Sequence, residues 1–278
     1  MKVAVIGSGI MGNGIAQVMA MAGYETVLVD VQQEALDRAK TTMEKNIGRV
    51  IEKQGLETTV EEVMQRVQLT TDIQHVSNAE VVVEAIVEKM EAKKTLLQQL
   101  DEVCEPKTIF ASNTSSLSVT EMAAATKRPD KVAGMHFFNP VPVMELVELV
   151  KGADTSDETV AVLQRLTEAM NKQSILVNDA PLFVVNRILI PMLSEAMFVY
   201  EEGIASAEDI DQGMKLGTNQ PIGPLRLADM IGLDTLLAVQ QSLLDETGDS
   251  KYRIPFILKK LVRAGHYGRK TGRGFYQY

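Results

Sequence analysis

The chain has one cysteine, Cys104, among 278 residues, so no disulfide can close within it. Such cysteine usage suits a reducing compartment. Basic residues are outnumbered: 28 Lys and Arg stand against 37 Asp and Glu, a net charge of −9. That balance lacks the footprint of a nucleic-acid binder, and its few lysine pairs read as solvated helix faces. No apolar run is long enough to cross a bilayer. The first residues enter a strand pattern directly, without the charged and apolar regions of a signal peptide. Internal repeats and low-complexity segments are also missing. Together these absences predict a soluble cytoplasmic protein with neither nucleic acid nor membrane as partner.

What is present is ordinary globular material, 45% hydrophobic and 23% charged, at a length suited to one large domain or two modest ones. The first thirty residues organise it. Lys2-Val3-Ala4-Val5-Ile6 is a short β-branched run suited to a buried strand. Gly7-Ser8-Gly9-Ile10-Met11-Gly12 follows as G-x-G-x-x-G, then an apolar helical pattern through Ala22, then a second strand, Thr26 to Val29, with Asp30 at its end. Gly7 permits the tight turn, Gly9 lets a pyrophosphate approach the backbone, and Gly12 lets the helix pack closely on the sheet. The helix N-terminus, at Ile10 and Met11, offers free N–H groups and positive dipole to phosphates. Asp30 can accept bonds from ribose hydroxyls.

Strand and helix patterns alternate from there to Val177, which argues a doubly wound α/β sheet. The stretch from Gln32 to Lys53, with a shorter helix or turn from Val60 to Val67, reads as a helical hairpin standing out from the sheet. It is either a flap over a large ligand or an ordinary insertion. Asn113-Thr114-Ser115-Ser116 follows a strand, where ligands bind in open α/β sheets. The same residues can cap the next helix. From Pro181 onward the periodicity is helical throughout, so the chain divides into an α/β part, residues 1–182, and an all-helical part, residues 183–278. Phe183 to Tyr200 is apolar on nearly all sides and should kink at Pro191. A helix apolar all round must be buried all round, which predicts a homodimer or higher homo-oligomer built through the helical part.

His136 ends a strand in Met135-His136-Phe137-Phe138-Asn139-Pro140, and Glu148 lies beyond a loop holding Pro140 and Pro142. Such a loop could fold Glu148 back against the imidazole. A carboxylate on one ring nitrogen fixes the tautomer and leaves the other nitrogen to exchange a proton. Hydride transfer to or from a secondary alcohol needs such a group beside the hydroxyl.

These motifs resemble those of the short-chain L-3-hydroxyacyl-CoA dehydrogenase family, and within it the bacterial 3-hydroxybutyryl-CoA dehydrogenases. The stretches that carry the resemblance are Val5 to Gly12, Ala111 to Leu117, Met135 to Met144, Phe183 to Arg187, and Lys215-Leu216-Gly217 to Gly223-Pro224-Leu225. The resemblance spans essentially the whole chain. It implies a Rossmann-like domain with a C-terminal helical domain, NAD as cofactor with NADP as the alternative, and an acyl-CoA substrate. It also implies His136 as acid/base group, Glu148 as its orienting partner, and Ser115 and Asn186 as donors to the substrate's oxygens. Asp30 would take the adenosine ribose. Glu88, Lys93, Asn113 and Ser115 would line the nicotinamide end, and Asn139 would shape the pocket. No metal is implied. One position departs: the family usually has Pro-Gly-Phe where this chain has Pro181-Leu182-Phe183. A β-hydroxyacid dehydrogenase of similar architecture would use a lysine in the helical domain instead, and a non-enzymatic dinucleotide-binding protein would not need the His–Glu pair.

Overall fold

The β-branched runs become strands because both of their faces find apolar cover. In β1 (Lys2–Ile6), Val3 and Val5 point into one hydrophobic core while Ala4 and Ile6 point into another. The computed structural model describes Met1–Tyr278 as two units, Met1–Phe183 and Val184–Tyr278. In the first, β1 leads into α1 (Ile10–Met21), β2 (Glu25–Val29), α2 (Gln33–Gln54), α3 (Val60–Met64) and β3 (Val67–Thr70). Then come β4 (Val81–Glu84), α4 (Met90–Val103), β5 (Ile109–Ser112), α5 (Val119–Ala124), β6 (Val132–Phe137), β7 (Leu146–Lys151), α6 (Asp157–Ala169) and β8 (Gln173–Asn178).

The eight strands form one sheet in the order β3-β2-β1-β4-β5-β6-β7-β8. Neighbours are parallel except β6 and β7, which are antiparallel. The doubly wound Rossmann-like sheet expected from the strand–helix alternation is therefore present, and burial on both faces explains why its strands read as continuous apolar runs. Its parallel strands carry Gly7, Asp30, Glu84, Asn113 and His136 at or beside their carboxyl ends, along one edge.

The hairpin after β2 does not stand clear of the sheet. Leu36, Ala39, Met43 and Ile47 of α2 are buried in the same core as Ile15 and Met19 of α1, and Asn13 Nδ2 donates to the Ala39 carbonyl at 2.7 Å. The stripe at i, i+3, i+7 and i+11 lays α2 along α1. At the end of the unit, Leu182 (φ +62) and Phe183 (φ +57) are both left-handed and both buried. Leucine thus takes, at some cost, a conformation that glycine takes freely.

The second unit is helical: α7 (Val185–Glu201), α8 (Ala207–Thr218), α9 (Pro224–Ile231), α10 (Leu233–Thr247) and α11 (Phe256–Arg263). One helix, α7, runs through Pro191 and buries Ile190, Leu193 and Met197, leaving Ile188 68% exposed. Two buried carboxylates pin the C-terminal tail. Asp229 accepts from the backbone N–H groups of Phe275 and Tyr276, and Asp211 accepts from the Tyr276 hydroxyl and the Leu225 N–H. No helix is long and apolar enough to cross a membrane.

Candidate active site

The glycine turn between β1 and α1 leaves no room for side chains at two of its three glycines. Gly7 has φ +101, and a Cβ there would lie 2.6 Å from the Ala85 carbonyl oxygen. A Cβ on Gly12 would lie 1.8 Å from the Gly7 oxygen. At Gly9 a Cβ would meet nothing within 4 Å, so that backbone faces open space. Helix α1 starts there with no side-chain cap, its first turn formed by Ile10, Met11 and Gly12, and the leading N–H groups of a helix have no intrahelical acceptor. Asp30 stands opposite. Its Oδ2 accepts from the Ser8 backbone N–H at 2.8 Å and from the Ser8 hydroxyl at 2.7 Å. Partial burial opposes ionisation of Asp30, but these bonds outweigh it and hold the carboxyl below the usual range. Ser8, Gly9, Asp30, Arg38, Asn139 and Pro140 share a cleft of about 500 Å³. An open glycine backbone, an uncapped helix start and an ionised acceptor fit a dinucleotide's phosphates and ribose.

Further along the same edge, β4 and α4 build a charged cluster. Glu84, fully buried at the end of β4, holds Lys93 Nζ at 2.7 and 2.9 Å through its two oxygens. Glu84 also accepts from the Ser112 hydroxyl at 2.6 Å and the Ile86 N–H at 2.7 Å. On its other side Lys93 faces Glu88 Oε2 at 3.1 Å. Glu88 Oε1 accepts from the Thr114 hydroxyl at 2.5 Å and from the Ser115 N–H at 2.8 Å. Burial opposes ionisation of Glu88, yet the Lys93 charge and the Thr114 and Ser115 bonds hold it below the usual carboxylate range. The Asn113–Ser116 segment is thereby tied to an anion that is itself tied to a buried cation. Asn113 turns the other way, its Oδ1 accepting from the Phe137 N–H at 2.9 Å.

His136 and Glu148 lie opposite each other in the β6–β7 register. His136 Nδ1 is 2.7 Å from Glu148 Oε2, with both residues buried. The carboxylate accepts a hydrogen bond from Nδ1–H and so holds the proton on Nδ1, which leaves Nε2 as the nitrogen that exchanges one. Phe138 and Phe183 flank the imidazole at 4.5 and 5.8 Å between ring centroids, which shields the pair from water.

The structure therefore gathers Glu88, Lys93 and Ser115 into one cluster, pairs His136 with Glu148, and sets Asn139 on the wall of the cleft behind Gly9. Asn186 belongs to the other unit, in the first turn of α7. Sequence reasoning missed Glu84, Ser112 and Arg38. Glu84 carried a usable signal: an acid closing the Val81-Val82-Val83 strand is taken out of water and must find a cation. Arg38 carried none, since its approach to the cleft depends on how α2 docks.

Residues 2–180 match the family model for the 3-hydroxyacyl-CoA dehydrogenase NAD binding domain, and residues 183–278 match that for the C-terminal domain. A probable 3-hydroxybutyryl-CoA dehydrogenase of Deinococcus radiodurans is 50% identical over 278 residues, covering all of both chains. The 3-hydroxybutyryl-CoA dehydrogenase of Clostridioides difficile is 48% identical over all of this chain and 99% of its own. Among solved structures, (S)-3-hydroxybutyryl-CoA dehydrogenase from Ralstonia eutropha superposes with a TM-score of 0.97 at 47% identity, covering all of this chain and 98% of that one.

Proposed function

Because the chain belongs to the 3-hydroxyacyl-CoA dehydrogenase family, we propose that it interconverts (S)-3-hydroxybutyryl-CoA and acetoacetyl-CoA with NAD(H). The observation that carries this reading is the buried His136–Glu148 pair, 2.7 Å apart and on the same sheet edge as the glycine turn. The glycine turn and Asp30 would hold NAD, which would supply the hydride acceptor in oxidation and, reduced, the hydride donor. In oxidation, His136 Nε2 takes the proton of the 3-hydroxyl as hydride leaves C3; in reduction it returns that proton to the carbonyl oxygen. Glu148 keeps Nδ1 protonated and faces the positive charge that the ring gains. Ser115, anchored by Glu88, is the donor assigned to the substrate's oxygen. Asn186 enters through the family resemblance as a second donor. The test is spectrophotometric: acetoacetyl-CoA should oxidise NADH in the presence of the protein, and no turnover would refute the assignment.

The same reading includes a homodimer through the helical unit, supported by the exposed Ile188, Leu216 and Phe256 in that unit. Light scattering at micromolar concentration should give twice the chain mass, and a single-chain mass would refute it. A cytoplasmic setting is supported by the cysteine usage: Cys104 is the lone cysteine and a free thiol.

A further inference from the structure

Eight residues, Phe138–Glu145, connect β6 to β7, so they join His136 to the strand that carries Glu148. Two of them are prolines without an N–H. Pro140 O accepts from the N–H groups of Val143 and Met144, which closes a turn. The carbonyls of Val141 and Met144 point elsewhere, to a lysine ammonium brought in from the far end of the unit. Lys172 Nζ lies 2.7 Å from each. Lys172 is 7% exposed. Burial pushes its ammonium below the ordinary lysine range, with the Glu145 charge opposing.

The local chain is built to deliver this cation. Asn171 turns left-handed after α6, with φ +55. The Lys172 N–H donates to Thr167 O at 3.1 Å, and the Gln173 N–H donates to Glu145 O at 2.8 Å as β8 begins. The other side of the loop meets α1. A Cβ on Gly14 would lie 2.8 Å from Val141 Cβ, so Val141 sits as close to that helix as a glycine allows. The loop is thus wedged between the helix that starts at the glycine turn and a buried ammonium, and Asn139, Pro140, Val141 and Pro142 line the cleft shared with Gly9 and Asp30.

We propose that Lys172 is a positioning residue for cofactor binding: by holding the Val141 and Met144 carbonyls it fixes the Asn139–Met144 loop as a wall of the dinucleotide cleft. The proposal rests on the reading that this cleft takes NAD(H). Its physical basis is satisfaction of two carbonyls by one ammonium: that of Val141 is buried and that of Met144 is partly buried. Without the ammonium they lack a donor, and the loop must open to rehydrate them. The His136–Glu148 pair is set by strand register, so binding should suffer more than chemistry.

The experiment compares the unsubstituted protein with Lys172→Met and Lys172→Gln, using NADH fluorescence titration, kcat at saturating NADH, and amide hydrogen exchange. Lys172→Met should raise the Kd for NADH by about tenfold or more. Its kcat should fall no more than about threefold, because the strand-held pair is untouched. Exchange at Val143 and Met144 should quicken. Lys172→Gln keeps two N–H donors on a shorter side chain and should fall between the two. An unchanged Kd in a folded Lys172→Met protein, an equal loss in Kd and kcat, or failure of both variants to fold would overturn the positioning role. Failure of the unsubstituted protein to bind NADH would overturn the reading of the cleft itself.

Discussion

His136 and Glu148 are cross-strand partners at the one antiparallel step of the sheet, Nδ1 to Oε2 at 2.7 Å. They lie twelve positions apart in the chain, yet the strand register sets the contact before any ligand binds. Glu148→Gln keeps the shape and removes the charge. The amide can donate as well as accept, so the imidazole loses its enforced tautomer. The substitution should lower kcat for acetoacetyl-CoA reduction by roughly 10²-fold, with NADH affinity kept. Turnover within a few-fold of the unsubstituted rate would contradict an orienting role.

Glu88 gives a pH dependence whose sign is fixed. Its carboxyl is held below the usual range because the Lys93 charge and the Thr114 and Ser115 bonds outweigh the burial that opposes them. A group whose folded value is depressed contributes stability that is complete above its unfolded value, about 4.3 for glutamate, and is lost as pH falls through the folded value. Against Glu88→Gln, the advantage in Tm should therefore be largest near neutrality and shrink below about pH 4. A difference that grows in acid would refute this.

Asp30 should set cofactor choice. Its ionised carboxylate, held by Ser8, would meet a 2′-phosphate with like charge. Like-charge juxtaposition at a binding surface costs several kcal/mol, so kcat/KM for NADH should exceed that for NADPH by about 10²-fold or more. Arg38 lines the same cleft. Asp30→Ala should therefore narrow the preference by raising use of NADPH, and not only by weakening NADH. A native preference for NADPH would contradict the assignment.

Local patterns carried the framework. The β1 run, the glycine spacing, the first turn of α1 and Asp30 all lie within thirty residues, and local backbone geometry builds one side of the cleft from them. His136 was reachable as a polar residue at a strand end beside aromatic and proline neighbours. Other features depend on contacts between segments remote in the chain. The loop with Pro140 and Pro142 suggested that Glu148 could return to His136, but the antiparallel register that sets them opposite each other leaves little trace in a strand apolar on both sides. The docking of α2 on α1 follows from a stripe that was visible, but its partner was not. Glu84 and Lys93 meet because β4 and the first turns of α4 share an edge, nine positions apart. The left-handed Leu182 and Phe183 have no propensity signal, since neither residue favours that conformation.

His136 is assigned the role of proton carrier. The most direct measurement is kcat for acetoacetyl-CoA reduction in His136→Gln, alongside the Kd for NADH in the same protein. Glutamine keeps a polar side chain opposite Glu148 but has no nitrogen able to cycle a proton. The expected result is a kcat lower by roughly two to four orders of magnitude, with NADH Kd within about threefold because the glycine turn and Asp30 are untouched. Near-normal turnover in a protein that binds NADH normally would contradict the account.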